Sequence, residues 1–181
     1  MKNETQTFRL RAKSIKLLLT DCDGVLTDAG VYYSAAGEEL KRFSIRDGMG
    51  VERLRKLAEV EVGILTGENS PAVAQRAAKL KIKELHLGCH NKLNTLHGIV
   101  SRKGISQNEV AFIGDDVNDL EILQAVGLSA CPADALDLVS EIVNFQCKEK
   151  GGHGAFREFA ELIIRCKEQA VEELGTSPEN E

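Results

Sequence analysis

Two carboxylates one residue apart, Asp21 and Asp23, open the segment Asp21–Cys22–Asp23–Gly24–Val25–Leu26–Thr27, directly after the apolar run Ile15–Lys16–Leu17–Leu18–Leu19–Thr20. Leaving a buried strand with a glycine to let the backbone turn, both side chains can face one crevice. Alone, an Asp-x-Asp pair reads first as an acidic turn or a helix cap. A second set changes that reading: Gly114–Asp115–Asp116–Val117–Asn118–Asp119 follows the apolar run Val110–Ile113 and adds three carboxylates and an amide, where an N-cap needs one. So many anions gathered without a cation are costly, and a hard divalent ion with oxygen ligands, Mg²⁺, is the natural occupant.

An anionic substrate held against those carboxylates needs its own partners. Thr66–Gly67 offers a hydroxyl and backbone N–H groups just past a third apolar run, and Lys92 opens a helical segment where a cation opposes the local dipole. By itself Lys92 reads as a solvated lysine. In the ordered set Asp-x-Asp, Thr, Lys, Asp-Asp it reads as part of a site.

The elements that must position these groups follow from periodicity. Short apolar runs at 15–20, 60–65, near Leu85 and at 110–113 predict buried strands, each of the two acidic sets and Thr66 lying at a strand end. Apolar spacing predicts helices over 47–57, from Ser70–Pro71 to about Leu80, over 92–103 and from about Asn118 to Val126, with further short pieces near Leu128, 133–139 and Ile142. Residues 30–33 and 39–43 flank Ser34–Ala35–Ala36–Gly37 as a hairpin, an insertion at about 29–44. Alternation of strands and helices predicts an α/β fold, a doubly wound, Rossmann-like parallel sheet with helices on both faces and a ligand crevice beyond the strands' carboxyl ends. The expected organisation is an N-terminal extension at 1–13, one domain at 14–167, and an acidic, disordered tail at 168–181.

Composition narrows the function classes. The chain has 181 residues, 43% hydrophobic and 28% charged, which suits one globular core that needs no disulfide or metal to fold. The 23 basic and 28 acidic residues sum to −5, and five acidic residues in the tail from Glu168, with no Lys or Arg, account for the imbalance. With no basic field, no Trp and 4% aromatics, nucleic-acid binding is not expected. The five cysteines form no C-x-x-C pair, and no apolar run is long enough for a leader or a membrane span, so a soluble cytoplasmic protein is expected. Cys22 is read as pointing back into the sheet, and His90 and His153 as loop residues that could approach substrate.

With its four motifs in order at Asp21–Val25, Thr66–Gly67, Lys92 and Gly114–Asp119, the sequence resembles the haloacid dehalogenase-type phosphatases over about residues 14–165, and more narrowly the cap-less sugar-acid phosphatases typified by 3-deoxy-D-manno-octulosonate (KDO) 8-phosphate phosphatase. Asp28–Ala29–Gly30, Phe43–Gly48, Asn91–Leu93, Val126–Ala130 and Gly151–Glu158 support the narrower likeness. The resemblance implies that Asp21 attacks phosphorus to form an aspartyl-phosphate and that Asp23 protonates the leaving alcohol and then activates water. It further implies that Asp21, Asp115 and the carbonyl of Asp23 hold Mg²⁺, that Thr66 and Lys92 bind the transferring group, and that Asp116, Asn118 and Asp119 support the metal. It also implies a homotetramer in which the hairpins pack together and a neighbour's C-terminal segment, around Gly151–Gly152, covers the site. Arg157 then either reaches a neighbour's substrate carboxylate or pairs with Glu158 or Glu161 on its own helix.

One position departs from the pattern. Relatives acting on KDO 8-phosphate carry Arg after the Thr-Gly, where this chain has Glu68, a residue that repels a carboxylate but accepts hydrogen bonds from sugar hydroxyls. Glu68 with Lys79 eleven residues on is similar to the branch acting on the nine-carbon 2-keto-3-deoxynononate (KDN) 9-phosphate, so Gly67, Glu68, Lys79 and Arg157 are expected to contact substrate. The expected substrate is therefore a nonulosonate 9-phosphate, with KDO 8-phosphate as the alternative. A noncatalytic oligomerisation module associated with a sugar-acid cytidylyltransferase is the reading from another class, against which the intact Asp21 speaks.

Overall fold

The computed structural model describes residues 2–175. Its strands are β1 (Leu17–Thr20), β2 (Thr27–Ser34), β3 (Gly37–Phe43), β4 (Glu61–Leu65), β5 (Glu84–His86), β6 (Val110–Ile113), β7 (Leu128–Cys131) and β8 (Phe145–Gln146). Six of these form one parallel sheet in the order β5-β4-β1-β6-β7-β8, while β2 and β3 pair only with each other. The helices are α1 (Lys2–Ser14), α2 (Ile45–Leu57), α3 (Pro71–Lys79), α4 (Lys92–Lys103), α5 (Leu120–Ala125), α6 (Asp137–Ser140) and α7 (Ala155–Gly175).

Both faces of the sheet are covered, which is why its strands read as unbroken apolar runs. Leu17, Leu19, Val110 and Phe112 pack with Leu96 and Ile99 of α4 and Ile122 and Leu123 of α5. The alternate residues Leu18, Ala111 and Ile113 pack on the other face with Val51 and Leu54 of α2, Val73 and Ala77 of α3, and Phe156, Phe159 and Ile163 of α7. The doubly wound α/β architecture is therefore present, with each fully buried Leu or Ile contributing about 1.5–3 kcal/mol. Local signals start the helices as expected: Ser44, Ser70 and Asn91 cap α2, α3 and α4, each accepting from a backbone N–H three residues on.

Four local differences from the sequence reading have physical causes. The segment set aside as an N-terminal extension forms α1, whose Ala12 is fully buried and whose Phe8 meets Phe145 at 6.1 Å between ring centroids. Two apolar residues four apart make too narrow a stripe to stand out in a polar segment. At the other end α7 runs past Glu168 to Gly175, continuing the helix that Phe156, Phe159, Ile163 and Ile164 anchor; tail residues 176–181 lie outside the described residues. The helix expected from Asn118 begins at Leu120, because Val117–Asp119 is a tight 3₁₀ turn whose carboxylates bond local N–H groups. The hairpin starts two residues earlier than expected, at Thr27, and keeps its turn at Gly37 (φ 109°).

Candidate active site

Register brings the sequence motifs together. Thr20, the last residue of β1, pairs with Ile64 on one side and Ile113 on the other, so the strands carrying Asp21, Thr66 and Asp115 end at nearly one level. The Asp21 N–H continues the ladder by donating to the Ile113 carbonyl at 3.0 Å, and the Cys89 N–H donates to Thr66 at 2.8 Å. From β1 the chain winds outward through β4 and β5, then returns to the other side of β1 at β6. The carboxylates thus lie where strand order reverses, the place at which α/β sheets open a ligand crevice.

Lys92, the first residue of α4, points its ammonium into this crevice with 2% of its side chain exposed. Its Nζ lies 2.9 Å from Asp21 Oδ1 and 2.6 Å from Asp119 Oδ1. Burial pulls the Lys92 pKa down, but the two carboxylates outweigh it and hold the group above its ordinary value. For Asp21 burial wins over Lys92, with Asp119 adding repulsion, and its pKa is pushed up to about 6. Asp119, fully buried, spends its second oxygen on the Asp115 N–H at 3.1 Å. It is a bracket between Lys92 and the Asp115 loop, with burial raising its pKa.

Asp115 is the group left over. Its Oδ1 is buried and has no hydrogen-bond partner, and burial, then Asp21, Asp119 and Asp116, push its pKa up to about 8. Ligand oxygens of Asp21, Asp115 and Asp119 all lie within 4.8 Å of one another. An orphaned carboxylate oxygen among anions, in an all-oxygen donor set, fits a hard divalent cation. With both Asp119 oxygens engaged, Asp21 and Asp115 are the side chains available to hold it. Gly24 (φ 86°) makes room: a Cβ there would fall 1.9 Å from Asp115 Oδ2.

Asp23 has partners of its own. Both of its oxygens meet Lys41 Nζ of β3, at 2.7 and 2.6 Å, and the Thr27 hydroxyl donates to Oδ1 at 3.3 Å. Lys41 is a site residue that sequence reasoning missed; a single lysine in an arm of exposed residues carries no signal. Cys22, between the two aspartates, is fully buried in the core as expected, where burial holds its thiol well above the ordinary range.

The remaining expectations divide. Thr66 is buried beside Asp21's strand, with its Oγ1 accepting from the Glu68 N–H at 3.3 Å, and Gly67 and Glu68 form the rim that follows, Glu68 exposed. Asp116 caps Val117, and both it and Asn118 are exposed at the mouth. Lys79 is exposed in the last turn of α3, about 12 Å along the helix axis from Pro71. Arg157 pairs with Glu161 at 2.7 Å, as its second reading held, and its backbone N–H donates to buried Asp47 at 2.9 Å. Gly151–Gly152 packs on the Gly24–Asp28 loop of its own chain. The Gly152 N–H donates to Val25 at 2.8 Å, and a Cβ on Gly151 would fall 1.8 Å from the Gly24 carbonyl oxygen. His153 meets Arg42 at 2.9 Å at the base of the hairpin, and His90 is exposed.

Comparison with known proteins agrees with this geometry. The sequence profile of the haloacid dehalogenase-like hydrolases matches residues 78–158. The 3-deoxy-D-manno-octulosonate 8-phosphate phosphatase of Escherichia coli K12 is 37% identical over 167 residues, covering 92% of this chain and 88% of the relative. The Moraxella catarrhalis enzyme of that name, solved with magnesium, phosphate and KDO, superposes with a TM-score of 0.86 at 31% identity over 93% of this chain and 97% of that one. The cobalt-bound Haemophilus influenzae enzyme gives a TM-score of 0.85 at 37% identity over 88% and 93%. Among the described residues, no helix is long and apolar enough to cross a membrane.

Proposed function

The chain belongs to the haloacid dehalogenase-like hydrolases, and from that premise we propose that it is a Mg²⁺-dependent phosphatase for the terminal phosphate of a 3-deoxy-2-ulosonic acid, with KDO 8-phosphate as its substrate. The observation that carries the reaction is the crevice cluster: a nucleophile-ready Asp21 against Lys92, beside an Asp115 oxygen with no protein partner. The eight-carbon substrate rests on relatives of that name matched over 88% of their length, and it replaces the nine-carbon preference drawn from Glu68.

In the proposed reaction Asp21 attacks phosphorus in line while Lys92 and the Thr66 hydroxyl bind phosphoryl oxygens, offsetting charge that builds in the transition state. Asp119 keeps Lys92 charged and aimed. Asp23 gives its proton to the leaving alcohol and later takes one from the water that opens the aspartyl-phosphate. Asp21, Asp115 and the Asp23 carbonyl would hold a Mg²⁺, whose positive charge would screen the attacking carboxylate from the phosphate.

A nonulosonate 9-phosphate is the second reading, favoured by the exposed carboxylate of Glu68 at the rim. Phosphate release from KDO 8-phosphate, KDN 9-phosphate, N-acetylneuraminate 9-phosphate and common sugar phosphates decides between them. The highest kcat/KM is expected on KDO 8-phosphate; a higher value on a nine-carbon acid overturns that assignment in favour of Glu68, and hydrolysis of none returns the assembly-module reading.

We also propose a homotetramer. Val31, Tyr32, Tyr33 and Leu40 on the free hairpin, with Ile45 beside it, are exposed apolar side chains that a neighbouring hairpin would cover. Light scattering should give about four times the 19.8 kDa chain mass, and a monomer would refute the assembly.

A further inference from the structure

The free hairpin also sends a charge into the site. Lys41 stands on β3, outside the main sheet, yet only 3% of its side chain is exposed. Its ammonium lies 2.7 and 2.6 Å from the two oxygens of Asp23 and 3.6 Å from Glu38 Oε2. Glu38 is itself fixed from the opposite side, where the Ser70 hydroxyl at the start of α3 donates to Oε1. A buried cation is thus shared between the proposed acid–base and a second carboxylate that has its own anchor.

We infer that Lys41 is a positioning residue for proton transfer, acting through Asp23; the inference rests on the phosphatase reading above. When Asp23 carries its proton, one of its oxygens is withdrawn as an acceptor, and Glu38 is the partner that still balances the ammonium. As the bond from Asp21 oxygen to phosphorus forms, the ester P–O bond breaks and its electron pair goes to the alcohol oxygen. The Asp23 proton passes to that oxygen, and the new Asp23 carboxylate is taken by Lys41 on both oxygens, the arrangement observed here. A buried ammonium at hydrogen-bonding distance gives that carboxylate a charge-assisted partner on both oxygens. Without a cation there, proton donation would leave the new Asp23 carboxylate with no charged partner.

A tether that merely held the hairpin would, on removal, slow every substrate alike. A residue acting through the acid should matter only where the leaving group needs a proton. The test compares kcat/KM of wild type and Lys41→Met on the best sugar-acid phosphate and on p-nitrophenyl phosphate, whose leaving group departs without protonation. Because kcat/KM ends at the first irreversible step, the later action of Asp23 as a base does not enter. The sugar-acid phosphate rate is expected to fall about 10- to 100-fold, less than the roughly 10²–10⁴-fold a general acid itself supplies because Asp23 remains in place, while the aryl rate falls at least tenfold less. Lys41→Gln, which keeps a hydrogen bond to Asp23 but not the charge, should show the same differential, guarding against a folding defect in the first variant. Equal losses on both esters, or no loss on either, overturn the inference while leaving the phosphatase reading in place. Wild type inactive on both esters would overturn the two together.

Discussion

Asparagine at position 21 is expected to reduce phosphate release on the order of 10⁴-fold or more, the scale on which loss of a covalent nucleophile is felt. An amide keeps the shape of the side chain and an oxygen for Lys92, so substrate binding should change little and kcat should carry the loss. Stability should hold as well. Burial pushes the Asp21 pKa up to about 6, so above that pH the ionised side chain opposes folding in the metal-free protein and its neutralisation removes no support. Turnover measured beside thermal unfolding separates the two effects. Residual activity within tenfold of wild type would remove Asp21 as the nucleophile.

Chelation is expected to abolish turnover, and Mg²⁺ to restore it, with a pH signature in stability. The Asp115 pKa stands near 8 in the folded metal-free protein against an ordinary 3.8, through burial and then Asp21, Asp119 and Asp116. Between those values the folded state keeps a proton that the unfolded chain has released. Stability therefore falls as pH rises from about 4 to about 8. Asp21 adds to the slope between about 4 and 6. A cation that binds only the folded state competes with those protons, so it should raise Tm more at about pH 8 than at about pH 5. Calorimetry in EDTA and in Mg²⁺ across that range checks both signs. A Tm indifferent to Mg²⁺ at the upper end, or activity that survives EDTA, would contradict the metal assignment.

What was legible in the sequence was whatever lay along the central strands. Asp21, Thr66 and Asp115 each terminate a run of apolar residues, and a run buried on both faces is conspicuous without any tertiary knowledge. Lys92 was legible only through order, as a lysine between the second and last motifs. Lys41 was not, since its link to Asp23 arises when a hairpin folds back over the crevice, and nothing in the spacing of 18 residues encodes that return. Asp119 reads from sequence as a supporter of the metal; that it does so by bonding Lys92 and the Asp115 backbone N–H is visible only from distances. Lys79 was legible only through its pairing with Glu68 in the resemblance, and the nine-residue α3 sets its exposed place in the last turn. α1 was hidden by polarity, one buried and one partly buried apolar residue, Ala12 and Phe8, being too few among the described residues to set a period.

The common level at which β1, β4 and β6 end also determines where chain length can vary over evolutionary time. Thr20 is locked to Ile64 and Ile113 at once, so one residue inserted into any of the three strands would carry its catalytic group about 3.3 Å out of line and turn the following side chains to the wrong face. Insertions and deletions should therefore be excluded there and admitted at the Ser34–Gly37 turn, which joins two strands paired only with each other. New substrates would then be reached by lengthening the arm around a chemistry whose dimensions are set by strand pairing.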